Sequence, residues 1–109
     1  MEVKRVAALR AFATDKMKKV SLFETRRFFC DLYCFEPGQI QKGHVHQGED
    51  KVYFVLEGRG RFTVGREEAE LGAMEATVAP AGVEHGVLNS GPGRLVVLVF
   101  MAPHPSPKG

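Results

Sequence analysis

The sequence predicts an all-β domain, a sandwich or a barrel, on three observations. Between residues 17 and 101 it runs through short apolar or alternating segments of strand length. Breaks containing glycine or proline separate them at nearly even intervals. Only Val6–Phe12 has helical character, enough for a turn or two.

In order, the predicted strands are Lys19–Thr25, Arg27–Phe35, Gly43–His46, Lys51–Glu57, Gly60–Val64, Glu67–Leu71, Ala76–Ala79, Gly86–Asn89 and Leu95–Met101. The breaks are Glu36-Pro37-Gly38, Glu57-Gly58, Val64-Gly65-Arg66, Pro80-Ala81-Gly82 and Asn89-Ser90-Gly91-Pro92-Gly93. In Lys51–Glu57 one face carries Lys51, Tyr53, Val55 and Glu57, and the other carries Val52, Phe54 and Leu56. Both faces are largely apolar, so one lines a barrel interior while the other packs against a sheet or a second subunit. A lysine on an interior strand marks that interior as more than a plain core.

The totals bound the function. At 109 residues the chain suffices for one domain with one core. An apolar fraction of 44% and a charged fraction of 26% are those of an ordinary globular protein. The formal charge of +2 comes from interspersed signs, so no nucleic-acid partner is implied. The basic cluster of Lys16 to Lys19 with Arg26 and Arg27 is broken by apolar residues and reads as solvated surface. No apolar run approaches the ~20 residues of a membrane span, and the N-terminus lacks the continuous apolar core of a signal peptide. The expected location is the cytoplasm.

The cysteines agree with a reducing compartment. Cys30 and Cys34 sit on one predicted strand, where their Cα atoms would lie about 13 Å apart. A disulfide needs less than ~7 Å, so they are read as free, buried thiols. The proline-rich end, residues 103–109, is expected to be a disordered tail in which His104 has no role.

Chemistry enters with the histidines. In Gly43-His44-Val45-His46 the two imidazoles, if on a strand, share a face with Cα atoms about 6.7 Å apart. Both could then reach one ion at metal–nitrogen distances of about 2.0–2.1 Å. Gly38-x5-His44-x-His46 followed by Gly58 resembles the first motif of the cupin family. Pro80-Ala81-Gly82-Val83-Glu84-His85-Gly86-Val87-Leu88-Asn89 resembles the second, Pro-x-Gly-x-x-His-x-x-x-Asn, at every defined position. The resemblance covers nearly all of the chain outside the first ~20 residues and the tail. It implies a cupin jelly-roll β-barrel over residues 17–102, preceded by an N-terminal segment, residues 1–16, with a short helical turn. It also implies a metal site of His44, His46 and His85. Gly38 and Gly58 would permit tight turns, and Pro80 and Gly82 would shape the loop that aims His85 inward.

The pattern departs from the family in two places. Met74 stands where glycine is common, in a surface turn. More consequentially, the resemblance implies a fourth ligand, most often Glu, three or four residues after the second His and six residues before the glycine, and the two counts disagree about its place. Three intervening residues beyond His46 give Asp50, and six intervening residues back from Gly58 give Lys51. Strand alternation favours Lys51 as the inward residue. Two unit charges about 4 Å apart interact by ~4 kcal/mol at an effective dielectric of about 20, and a divalent ion doubles that repulsion. Lys51 could bend outward and leave Asp50 or water to complete the shell, act as a neutral base, or grip an anionic ligand. The favoured arrangement is three histidines with open positions, possible help from Asp50, and Lys51 and Tyr53 as further site residues.

Two functions stay open on the sequence. Three imidazoles around a divalent Zn, Fe, Mn or Ni ion would suit a small-molecule dioxygenase, isomerase or epimerase. The alternative is a non-catalytic cupin that binds or senses a small ligand, for which Lys51 would suit a carboxylate. Nothing resembles a helix-turn-helix. A homodimer is expected, since the strand in residues 17–25 has nothing obvious to cover it within one barrel.

Overall fold

A computed structural model describes residues 1–105. It contains nine antiparallel strands in two sheets: β1 (Lys18–Glu24), β2 (Phe29–Phe35), β3 (Ile40–His44), β4 (Asp50–Glu57), β5 (Arg59–Val64), β6 (Glu67–Gly72), β7 (Ala76–Ala79), β8 (His85–Leu88) and β9 (Leu95–Ala102). One sheet is ordered β1-β2-β9-β4-β7 and the other β3-β8-β5-β6. This is the expected all-β jelly roll. The helical stretch shortens to a single 3₁₀ turn, Val6–Leu9. No helix among the described residues is long and apolar enough to cross a membrane.

The core follows from period-2 alternation read across the ladders. On the five-stranded sheet, Lys19, Tyr33, Val97 and Val55 pair in one inner row. Ser21, Asp31, Val99, Tyr53 and Thr77 form the next, and Phe29, Met101, Lys51 and Ala79 a third. The interior cluster combines Tyr33, Phe35, Tyr53, Val55, Leu95, Val97 and Val99 with Phe62 and Val87 from the facing sheet. Lys51 thus enters the barrel as part of a strand whose other inward residues are core.

The outer face of the same sheet makes a second cluster. Leu22, Leu32, Cys34 and Val96 lie buried there beneath Val6, Leu9 and Phe12 of the N-terminal segment. That segment is fastened by Arg10 to Glu57 at 2.7 Å, by the Gln39 side-chain amide donating to the Ala13 carbonyl at 2.8 Å, and by the Arg94 guanidinium stacked over Phe12. Both cysteines are free and belong to this outer cluster, not the barrel interior. Burial pushes both thiols up from their ordinary range.

Turn residues act where a side chain would fail. Gly58 has φ +85°, and a Cβ there would stand 2.1 Å from the Arg94 carbonyl oxygen, so the β4–β5 turn admits only glycine. Met74 takes φ 71°, the left-handed conformation that glycine adopts without strain. Asn89 is buried and donates to the carbonyls of Phe35 and Gly93, while its own oxygen accepts from the Gly91 N–H. The second motif's asparagine therefore ties the β8–β9 turn to the end of β2.

The expected tail needs correction at its beginning, and residues 106–109 lie outside the described residues. His104 docks: its backbone N–H donates to the Arg27 carbonyl at 2.9 Å, its Nε2 meets the Glu24 carboxylate, and its ring stands edge-on to Phe29. Proline-rich composition described the segment's neighbours but not the hydrogen bonds available at the β1–β2 hairpin. Truncation after Ala102 is accordingly expected to lower stability by about 1–2 kcal/mol, the loss of two hydrogen bonds and an aromatic contact. An unchanged urea midpoint would show that this docking contributes nothing.

Candidate metal centre

His44 and His85 meet because they are cross-strand partners. The β3–β8 ladder pairs them directly, beyond an irregularity between Gln41 and His44. His46 is not on a strand, contrary to expectation: β3 ends at His44 and the chain leaves the ladder. Its imidazole reaches the same place from the β3–β4 loop. Ring centroids lie 4.7 Å apart for His44 and His46, 4.8 Å for His44 and His85, and 5.5 Å for His46 and His85. One nitrogen from each ring falls within 4.8 Å of the others.

Hydrogen bonds orient two of the rings. His44 Nδ1 lies 2.9 Å from the Lys42 carbonyl oxygen, and His85 Nδ1 lies 3.0 Å from that of Val83. A carbonyl accepts only, so each Nδ1 carries the proton and each Nε2 keeps its lone pair. His85 is 2% exposed, and its Nε2 is buried without any hydrogen-bond partner. Such a nitrogen is destabilising unless something electrophilic meets it. His46 Nδ1 has Glu49 3.8 Å away as a more distant outer neighbour. Burial, first of all, lowers the pKa of all three imidazoles, and the positive charge of Lys51 adds to it. They are therefore neutral near pH 7, the form in which imidazole ligates a metal. The donor set fits a divalent ion.

Two loops hold this geometry together. The Asp50 carboxylate accepts from the Ala81 N–H at 2.9 Å, and the Gly82 N–H donates to the His46 carbonyl at 2.7 Å. Gly82 has φ +82°, and with Pro80 it makes the turn that leads into His85. Asp50 is exposed and bonded to this turn; its carboxylate is not among the converging ligand atoms. Glu84 is likewise exposed, with its side chain lying over Gly43.

Lys51 is the residue that alternation sends inward. It is 2% exposed, with Nζ 5.1 Å from the Tyr33 ring centroid and 5.4 Å from that of Tyr53. Desolvation chiefly, then repulsion from Lys19, brings its pKa down to about 7, with Asp31 acting in the opposite direction. Tyr53 is fully buried, donates its hydroxyl to Gln41 Oε1 at 2.9 Å, and holds its ring 6.2 Å from that of His85. Burial raises the pKa of the Tyr33 and Tyr53 phenols far enough to keep both neutral.

Sequence reasoning passed over Gln41, Tyr33, Asp31 and Lys19. Gln41 was hidden because the strand was expected to begin at Gly43, whereas β3 begins at Ile40. Tyr33 and Asp31 alternate with Phe35 on β2, a period-2 signal that identifies an inner face without saying what faces it. The competing counts for the fourth ligand also have a resolution. Residues 47–50 separate His46 from Lys51 and residues 52–57 separate Lys51 from Gly58, so both family spacings can be met at Lys51.

Comparison with known proteins agrees with this architecture. Residues 31–101 match the cupin domain. A crystal structure of a Thermus thermophilus protein is 46% identical, with a TM-score of 0.94 over 96% of this chain and 100% of that one. An RmlC-like cupin protein from Desulfovibrio desulfuricans is 25% identical, with a TM-score of 0.84 over 95% of this chain and 98% of that one. A Streptomyces coelicolor protein is 27% identical over 104 residues, which span 87% of this chain and 98% of the relative. The cupin match runs from within β2 into β9 and takes in both histidine-bearing segments, and on that ground the chain belongs to the cupin family.

Proposed function

We propose that this cupin binds a divalent metal ion through His44, His46 and His85 and acts as a metal-dependent enzyme of the dioxygenase or isomerase type on a small molecule. The observation that carries the reading is the buried, unpartnered Nε2 of His85 at the point where three neutral imidazoles converge. Three protein ligands with no converging carboxylate leave positions open, which is the pattern of catalytic rather than structural metal sites. When bound, the ion supplies Lewis-acid or oxygen-activating chemistry.

The chain's own residues set the conditions for that chemistry. The Lys42 and Val83 carbonyls keep the His44 and His85 rings in one tautomer and orientation. The Asp50–Ala81 and Gly82–His46 hydrogen bonds keep the two loops in register. Tyr53, Tyr33 and the apolar interior exclude water from the side facing the barrel. Lys51, with a pKa near 7, is the residue suited to giving or taking a proton close to neutrality. A second reading, a ligand-binding cupin without turnover, is favoured by the two tyrosine hydroxyls being held neutral, which leaves Lys51 alone in that role.

Metal analysis of untagged protein tests the reading. Wild type is expected to retain close to one divalent ion per chain, and His46→Ala or His85→Ala to retain none while still unfolding cooperatively. Asp50→Ala, which only loosens the loop ahead of His85, is expected to weaken metal about tenfold, the lower end for outer-shell partners. Full metal content in both histidine variants would remove the site.

The burial of Lys51 also sets a pH dependence for the metal-free protein. Its folded pKa is about 7, against an ordinary value of 10.5. Between those values the unfolded chain binds the proton and the folded chain does not, so stability rises with pH. Below pH 7 the full burden of the buried charge is present. Lys51→Met is therefore expected to be more stable than wild type by on the order of 1–3 kcal/mol at pH 6. The gap should narrow steadily from pH 7 to 9 in urea unfolding; a constant gap would mean that Lys51 does not titrate in this range.

A further inference from the structure

We propose that the ligand of this site is a small carboxylate, gripped by Lys51 and drawn in across a lysine-lined groove between β1 and β3. The proposal deepens the metal reading above and rests on it only for the side of the ligand that would meet the ion.

Two interior donors, the Lys51 ammonium and the Gln41 amide nitrogen, have no well-formed hydrogen bond to an acceptor among the described residues. Lys51 is almost wholly buried, yet among the described residues it forms no ion pair and no side-chain hydrogen bond. An ammonium has three N–H groups, and the faces of Tyr33 and Tyr53 satisfy its charge only weakly. Gln41, 6% exposed, spends its carbonyl oxygen on the Tyr53 hydroxyl and leaves its Nε2 buried without a partner. The Tyr33 hydroxyl oxygen is close enough to act weakly on the Gln41 amide, short of a well-formed hydrogen bond. A group that accepts hydrogen bonds through two oxygens and donates none is what these side chains lack.

Charge points the same way. Lys19 lies over the Tyr33 ring with its Nζ 5.1 Å from the centroid, the same distance as Lys51. Two ammonium groups are therefore gathered on one aromatic ring. Asp31, the carboxylate nearest in effect to both, ion-pairs with neither. The three converging ligands are imidazoles, with no carboxylate among them. A divalent ion would add two positive charges with no protein carboxylate among its ligands. An anion between the ion and Lys51 turns two repulsions into two attractions.

The approach is charged in the same sense. A groove of about 580 Å³ lies between β1 and β3, lined by Lys16, Lys18, Lys19 and Lys42 together with Gln41 and His44. No acidic side chain lines it, and none of these lysines is ion-paired among the described residues. Because His44 belongs to both the groove and the imidazole cluster, the groove leads to the site. A one-signed cleft concentrates ligands of opposite sign and speeds their capture.

Calorimetric titration of malonate into the metal-free full chain at pH 7 tests this, with malonamide as the uncharged control. Malonate should bind and malonamide should not. Lys51→Met, which is expected to fold, should weaken malonate at least tenfold, and Lys19→Met about threefold. Malonate binding unchanged in Lys51→Met, no malonate binding to wild type, or equal binding of malonamide would each overturn the proposal. Tighter binding of inorganic phosphate than malonate would overturn the carboxylate class. A wild-type protein that holds no metal but binds malonate through Lys51 would sink the metal reading and leave this one standing. A metal-loaded protein indifferent to malonate would do the reverse.

Discussion

Strand β9 is hydrogen-bonded to β2 along one edge and to β4 along the other, and its pairing with β2 runs without a register shift from Leu95 to Met101. Because side chains alternate across a strand, this double pairing decides together which residues of three strands enter the barrel. Val97 brings Tyr33 and Val55 inward, Val99 brings Asp31 and Tyr53, and Met101 brings Phe29 and Lys51. A slip of one residue between β9 and β4 would turn Lys51 and Tyr53 outward and put Val52 and Phe54 in their place. The apolar rows toward Leu95 hold the register, and the polar residues at the other end inherit it.

The histidine cluster is assembled differently, from one ladder pair and one loop. His44 and His85 are brought together by β3 and β8, whereas His46 depends on two hydrogen bonds to the β7–β8 turn, one through its own carbonyl and one through Asp50 at the start of β4. Two of these imidazoles have their proton held outward by a backbone carbonyl, and burial keeps all three neutral. The first effect aims the lone pairs and the second keeps them available. Neither needs a charged partner close by, and no carboxylate belongs to the cluster.

Lys51 changes the character of that centre. A carboxylate at this place would lower the charge of a bound ion; a lysine raises the charge of the cavity. Its burial is tolerated through two aromatic faces and a lowered pKa. The Tyr33 ring serves both Lys51 and Lys19, so the inside of the barrel and the groove outside it are electrostatically continuous. The Asp31 carboxylate acts on both lysines but forms an ion pair with neither among the described residues.

Much of this was legible in the sequence. Alternation in Lys51–Glu57 put Lys51, Tyr53 and Val55 on one face, and the glycine and proline breaks divided the chain into strands close to those observed. His44, His46 and His85 stood out by spacing and by resemblance to the two cupin motifs. These are local properties: period-2 alternation and turn chemistry act within a few residues and leave their mark on the string. The commitment of Asp50 to the Ala81 turn, the departure of His46 from its strand, the unpartnered Nε2 of Gln41 and the docking of His104 on Glu24 were not legible. Each depends on the register between strands distant in sequence, or on how two loops close against each other. That information resides in the pairing of the sheets, and only the tertiary structure decides it.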